Sequence, residues 1–329
     1  MHPYTAADTL RIAKRYNNPK RSYLLVNPLQ AKHIPVSPAA ALEMMGALGD
    51  QVAAKYPEAR LVIGFAETAT AIGAAVAARL GPDCLYVHTT REALDGDWIL
   101  FREEHSHAAE HRLCADQLAD WIDRSPAIVF VDDEFSTGRT LINMVQQLRE
   151  RYPQRKLYVV DTLCASLGQG LLVWLTVQEL KHGATLEEAA KYAEDNRLHL
   201  CHWFTVDDLF FLKRGGRVSA ATALVGSALG IKPVLHVDNE GHLINVSKAR
   251  GRKNSILALV DRMERSAIEP EKQTVFISHG DCLADAEFLA QEVRRRLHVP
   301  RIEINYVGPV IGAHSGPGTL ALFFLGTAR

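Results

Sequence analysis

Residues 128–140, Ile-Val-Phe-Val-Asp-Asp-Glu-Phe-Ser-Thr-Gly-Arg-Thr, constrain the fold more than any other stretch of this 329-residue chain. The run Ile128–Val131 is continuously apolar, which predicts a strand covered on both faces in a parallel sheet. Asp132 and Asp133 follow at its carboxyl end, where open α/β sheets bind their ligands. Two neighbouring carboxylates repel each other unless something positive or hydroxylic lies between them. Ribose hydroxyls with a nearby Mg2+ meet that need. Ser136, Thr137, Gly138, Arg139 and Thr140 come next, and Gly138 lets the backbone approach an anion closely. Leu141, Ile142, Met144, Val145 and Leu148 keep helical spacing, so a helix is expected from near Gly138. Its dipole favours a phosphate at that end.

Apolar strand, paired acids, short apolar step and S/T-T-G-x-T: this order resembles the ribose-phosphate motif of type I phosphoribosyltransferases. Leu61–Phe65 reads as a second buried strand. It runs through Ala66, Glu67, Thr68 and Ala69 into an Ala-rich helix reaching Leu80, and in such enzymes the pyrophosphate-binding loop sits there. Leu85–His88 reads as a third strand, with Thr89, Thr90 and Arg91 behind it. Residues 27–38, 64–73, 88–92 and 103–111 resemble segments of a subfamily met beside tellurite-resistance stress genes, so the likeness covers about residues 20–155.

The resemblance implies an enzyme using 5-phosphoribosyl pyrophosphate and an acceptor that cannot be read from the sequence. Asp132 and Asp133 would hold the ribose hydroxyls and meet Mg2+ only indirectly. Ser136, Thr137, Gly138 and Thr140 would cradle the 5′-phosphate, with Arg139 close by. Ala66, Glu67, Thr68 and Ala69 would cover the pyrophosphate, and Arg91 belongs to the same substrate-binding set. Mg2+ would bridge pyrophosphate oxygens and neutralise leaving-group charge. Glu103, Glu104, His105, His107 and His111 lie close together as well. Their spacing suits a metal, but no Cys or His pair completes a zinc set, and a loop closing over substrate is the favoured reading.

Near Tyr152 the character of the chain changes. Lys156–Cys164 reads as another buried strand, 168–178 as a helix and 186–198 as an amphipathic helix. Pro233–Ser247 is two alternating runs around Asp238-Asn-Glu-Gly241, hence a β-hairpin. Leu212–Ser219 sets cations beside a Gly pair, which suits an anion or a helix C-terminal turn. Gly308–Gly318 reads as a turn-rich loop carrying one ionisable residue, His314. Leu320–Leu325 reads first as core, with a lipid-tunnel wall as the alternative.

These segments, with 156–170, 201–219, 249–255, 277–282 and 305–326, resemble the carboxyl-terminal part of the DegV family, which binds fatty acids. The resemblance implies a half-site of His314, Arg217, Gly312 and Ser315 for a lipid carboxylate, and a carrier that presents an acyl chain to a partner kinase. DegV proteins have their own amino-terminal domain with a Ser/Thr loop. Here a phosphoribosyltransferase-like segment stands in its place, joined within the helix expected at 139–153.

The expectation is therefore α/β, in two domains. Residues 1–155 would form a mainly parallel twisted sheet with helices on both faces, built from strands near 22–26, 61–65, 84–88, 127–131 and 156–160. Residues 156–329 would form a DegV-like α+β domain with the hairpin and strands near 274–278 and 302–307. The leading function is the phosphoribosyltransferase, and the alternative is the fatty-acid carrier. A net charge of −1 gives no general pull toward nucleic acid. The basic cluster Lys248–Lys253 reads as a solvated turn before a helix. Five scattered cysteines without a C-x-x-C suit free thiols in a reducing cytosol. No apolar run reaches membrane-spanning length, and a homodimer is possible.

Overall fold

The runs at 61, 85 and 128 do become strands, and their pairing sets the first half of the molecule. The computed structural model describes residues 4–14, 23–30, 35–102, 110–116, 118–132, 138–214, 216–218 and 230–329. Two compact units emerge, Met1–Ala13 with Leu25–Val159 and Lys14–Leu24 with Val160–Arg329.

Along the first half run α1 (Ala6–Thr9), β1 (Arg11–Lys14), β2 (Tyr23–Val26), α2 (Pro38–Lys55), β3 (Leu61–Gly64) and α3 (Ala69–Leu80). There follow β4 (Leu85–His88), β5 (Trp98–Arg102), β6 (Glu110–Cys114), α4 (Leu118–Arg124), β7 (Ile128–Val131) and α5 (Arg139–Arg151). The sheet has the order β4-β3-β7, all parallel. Successive residues of β3 point to opposite faces. Leu61 and Ile63 meet the hairpin β5–β6, α4 and α5 through Ile99, Phe101, Leu113, Leu118, Ile122, Met144 and Leu148. Val62 meets α2 and α3 through Ala41, Met45, Ala69, Ile72 and Val76. Each of the larger side chains (Leu, Ile, Val, Phe, Met), when fully buried, stabilises by about 1.5–3 kcal/mol. Gly73 lets α3 lie tight against β3 and β4: a Cβ there would come within 2.7 Å of the Tyr86 ring and 3.3 Å of Gly64 Cα. The Tyr86 hydroxyl donates to the Thr70 carbonyl at 2.6 Å, and burial pushes its phenol up to about 12.

Two expected members of this sheet are absent from it. Tyr23–Val26 forms a strand but pairs with Arg11–Lys14 in a separate two-stranded ribbon. Residues 156–160 form no strand. Leu157 packs into the first core while Lys156 and Tyr158 lie exposed. A β-branched run supplies propensity, but a strand also needs a ladder partner.

The second half contains α6 (Ser166–Lys181), α7 (Leu186–Asn196), β8 (Leu200–Thr205), α8 (Leu209–Arg214), β9 (Ile231–Val237) and β10 (Leu243–Arg250). It continues with α9 (Arg252–Ser266), β11 (Thr274–His279), α10 (Leu283–Leu297), β12 (Arg301–Tyr306), α11 (Pro309–Ser315) and β13 (Leu320–Leu325). Six strands order as β10-β9-β8-β13-β11-β12, antiparallel except for the pair β11–β12. Helices α9 and α10 cover one face through Ile256, Leu259, Leu289 and Val293. Helices α6 and α8 cover the other through Leu171, Leu172, Leu209 and Leu212. The expected hairpin is β9–β10, and the Asp238 carboxylate accepts the amides of Glu240 (3.0 Å) and His242 (2.8 Å) in its turn. Leu320–Leu325 is a buried central strand, which makes it core. The Gly308–Gly318 loop is a correction: residues 309–315 are helical. Pro309 sits at the first helical position, where its missing N–H costs nothing. No helix among the described residues is long and apolar enough to cross a membrane.

Candidate functional site

In the first unit the three parallel strands bring their carboxyl tips to one edge. The ladder extends past them, because Phe65 N donates to Val131 O and Thr89 N donates to Gly64 O, each at 2.9 Å. Ala66, Thr89 and Asp132 therefore leave the sheet side by side, spanning roughly 10 Å across two strand spacings. The Ala66–Glu67 peptide is cis. Glu67 is exposed, Ala66, Thr68 and Asp132 are half-buried, and Ala69 is fully buried with its amide donated to Phe65 O at 3.2 Å. Ala69 thus anchors the loop from below.

A polar hub ties the neighbouring loops together. The Thr89 hydroxyl accepts the Ala66 amide at 2.8 Å and lies 3.4 Å from His111 Nδ1. Arg91 Nε donates to His111 Nε2 at 3.4 Å. The His111 ring is 2% exposed and stacks on Phe101 with centroids 5.4 Å apart. Thr90 and Arg112 exchange two backbone hydrogen bonds of 2.8 Å, which fixes β6 to the end of β4. The motif at 88–92 pointed here, but the part played by His111 did not show in its sequence neighbourhood.

Helix α5 begins where the sequence places it. Gly138 is its N-cap with φ 70°, a left-handed conformation that glycine adopts without steric cost. Thr140 is half-buried in the first turn and Arg139 is the first helical residue. Asp133, Ser136 and Thr137 lie outside the described residues, as do Glu103, Glu104, His105 and His107. Among the described residues no three His, Cys, Asp or Glu side chains converge as a metal cage. Magnesium ions are commonly held by one or two carboxylates together with substrate phosphates. Half-buried Asp132 at a strand tip fits an ion that arrives with its ligand.

In the second unit the Gly pair after α8 makes a helix C-terminal turn. Gly216 N donates to Lys213 O at 2.9 Å and Arg217 N to Leu212 O at 2.8 Å, with Arg217 exposed. Helix α11 lies against α8, and Phe211 fills the space above Gly316. His314 is 9% and Ser315 3% exposed, and the Ser315 hydroxyl donates to Ile311 O at 2.9 Å. Gly312 sits one turn earlier and its carbonyl accepts the Gly316 amide at 2.8 Å. Beside this, Gly280 exchanges backbone hydrogen bonds with Thr319 (2.8 Å) and Gly318 (2.7 Å), so the loops after β11 and before β13 are clasped. Helix α8, whose C-terminal turn carries Arg217, is thus in contact with helix α11, which carries His314.

Two features of the second unit, one within the six-stranded sheet and one beside it, carry no signal in the sequence. His202 is almost wholly buried; its Nδ1 donates to Leu200 O at 2.9 Å and its Nε2 accepts the Ala165 amide at 3.2 Å. Burial and then the Arg329 charge push it down to about 3. The Arg329 guanidinium donates to the carbonyls of Leu163 (2.8 Å), Thr162 (3.1 Å), Leu200 (3.2 Å) and Asp238 (3.2 Å), and to that of Arg197.

Comparison with known proteins gives two matches that overlap along the chain. A family model described as phosphoribosyl transferase matches residues 9–170, and one described as uncharacterised protein, DegV family, matches residues 135–327. Their overlap contains α5. A DegV domain-containing protein of Clostridium perfringens is 48% identical over 184 residues, covering 56% of this chain and 63% of that protein. The chain thus spans less than two thirds of that relative's length. A DegV lipid-binding protein from Thermotoga maritima superposes with a TM-score of 0.51 at 28% identity, over 65% of this chain and 74% of the other. The fatty acid kinase (Fak) B3 protein of Streptococcus pneumoniae, loaded with linoleic acid, shares the fold at 15% identity and a TM-score of 0.53, over 80% of this chain and 98% of that one. With a family match running through more than half of its residues, the chain belongs to the DegV family.

Proposed function

We propose that the second unit binds a long-chain fatty acid and that the chain acts as an acyl carrier for a partner kinase. The observation that carries this reading is His314, buried on α11 against α8, in a chain 28% identical to a lipid-binding DegV protein over 65% of its length. An imidazole N–H, a serine hydroxyl and a guanidinium all donate to a carboxylate, the guanidinium most strongly because it is charged. His314, Ser315, the backbone at Gly312 and Arg217 are the donors assigned here. A reducing cytosol suits the five free thiols. Fluorescence displacement of a bound polyene fatty acid by oleate tests the reading; His314→Ala and Arg217→Ala should each weaken binding about tenfold or more. Equal affinity in all three proteins would refute it.

A second reading is favoured by the convergence of Ala66, Thr89, Arg91 and Asp132 on one sheet edge. In it the first unit binds 5-phosphoribosyl pyrophosphate as a phosphoribosyltransferase does. Asp132 and Asp133 would hold the ribose hydroxyls and steady the positive charge that develops on the sugar ring. The α5 N-terminus with Ser136, Thr137, Gly138, Arg139 and Thr140 would receive the 5′-phosphate, and the loop at Ala66–Ala69 with Arg91 the pyrophosphate. Mg2+, when bound with the ligand near Asp132 and Asp133, supplies neutralisation of the leaving group's charge. Isothermal titration with Mg2+ and phosphoribosyl pyrophosphate should show binding that Asp132→Asn with Asp133→Asn abolishes. Unchanged heats in that double variant would exclude this assignment.

A further inference from the structure

We propose that His111 is a positioning residue that sets the Arg91 guanidinium for a pyrophosphate-class anion at the strand tips. The inference rests on the phosphoribosyl-binding reading of the first unit and deepens it. Its basis is the proton inventory of one ring. Arg91 Nε can only donate, so His111 Nε2, 3.4 Å away, must accept. A ring that accepts at Nε2 and carries one proton carries it on Nδ1. That proton points at the Thr89 hydroxyl oxygen, 3.4 Å away, which also accepts the Ala66 amide at 2.8 Å. One imidazole therefore connects the loop after β3, the loop after β4 and strand β6.

A histidine that serves only a core is satisfied from the backbone, as His202 is by Leu200 O and the Ala165 amide. His111 is as deeply buried, at 2% exposure, yet gives its acceptor to an exposed arginine. The stack on Phe101 holds the ring plane. Fixing Nε fixes the plane of the guanidinium, and a planar fork in a set orientation is what bidentate recognition of a phosphoryl group requires. Because Ala66 N is bound to the same Thr89 oxygen, the ring also registers the expected pyrophosphate loop against Arg91.

The test is titration of the full chain with inorganic pyrophosphate and Mg2+, comparing wild type with His111→Gln, His111→Phe, Arg91→Ala and the Arg91→Ala/His111→Phe double variant. His111→Phe and Arg91→Ala should each weaken binding about tenfold, and the double variant no further, because the two residues act as one unit. Both single variants should lower the salt dependence of binding equally. Glutamine places an oxygen near the former Nε2, so His111→Gln should stay within about threefold of wild type. As a measurement that needs no variant, the Arg91 Nε–H should give an exchange-protected nitrogen–proton resonance in the wild-type chain. Full affinity in His111→Phe, additive losses in the double variant, or a rapidly exchanging Arg91 Nε–H would overturn the proposal. A wild-type chain that binds no pyrophosphate while its Arg91 Nε–H is protected would overturn the site reading, and the inference with it.

Discussion

The two sheets keep their polar side chains in different places. In the first unit's three-stranded sheet the strands are four residues long and parallel, and the polar groups of the candidate site lie just beyond their tips: Ala66 with Thr89, then Arg91 and Asp132, with His111 reaching Thr89 and Arg91 from within β6. In the second unit the strands are mostly six to eight residues long, and His202 and His236 lie within them. A tip can exchange its partners with a ligand. A buried mid-strand group must find its partners in the protein, as His202 does. The ligand chemistry proposed above falls at the strand tips of the first unit and at helix α11 and the turn after α8 in the second, while His202 is held entirely by backbone partners.

The largest expected break is Phe324→Ala. Phe324 is fully buried on the central strand β13, and its loss should cost about 3–5 kcal/mol in urea unfolding. Arg329→Ala comes next, at about 2–3 kcal/mol, since five backbone carbonyls lose a charged donor at once while part of the site remains open to water. A pH series sharpens the same point. His202 falls from an ordinary 6.5 to about 3 in the folded chain. Below about 6.5 the unfolded chain takes up a proton that the folded chain refuses, so stability falls as pH falls from about 6.5 to about 3. The slope is roughly 1.4 kcal/mol per pH unit for this one group. It should flatten in His202→Gln, followed by circular dichroism. Gly138→Ala is the smallest: nothing lies within 4 Å of an added Cβ, so the penalty is the left-handed φ alone, about 1–2 kcal/mol. That change should spare the six-stranded sheet.

What the sequence revealed follows from the same physics. Strands buried on both faces announce themselves as unbroken apolar runs, which is why β3, β4 and β7 were legible. The start of α5 was legible from Gly138 and the helical spacing after it. The hairpin β9–β10 was legible from Asp238–Gly241 between two alternating runs. Residues 156–160 carry the same apolar signal but find no ladder partner, and partnership is a through-space property. Helix α11 was hidden by its glycines and proline, which read as turns although Pro309 and Gly312 occupy helical positions. Arg91 was marked by its place behind β4. The hydrogen-bond role of His111 became visible only when β6 brought it against Thr89, more than twenty residues away in the chain.

The central claim, that the second unit holds an acyl chain, is tested most directly by native mass spectrometry of the full chain purified from bacteria. The account predicts a mass increment of one fatty acid, released as a free carboxylate on activation, and lost in His314→Ala. A chain that stays ligand-free after incubation with excess oleate, or a His314→Ala variant that retains lipid as fully as wild type, would contradict it.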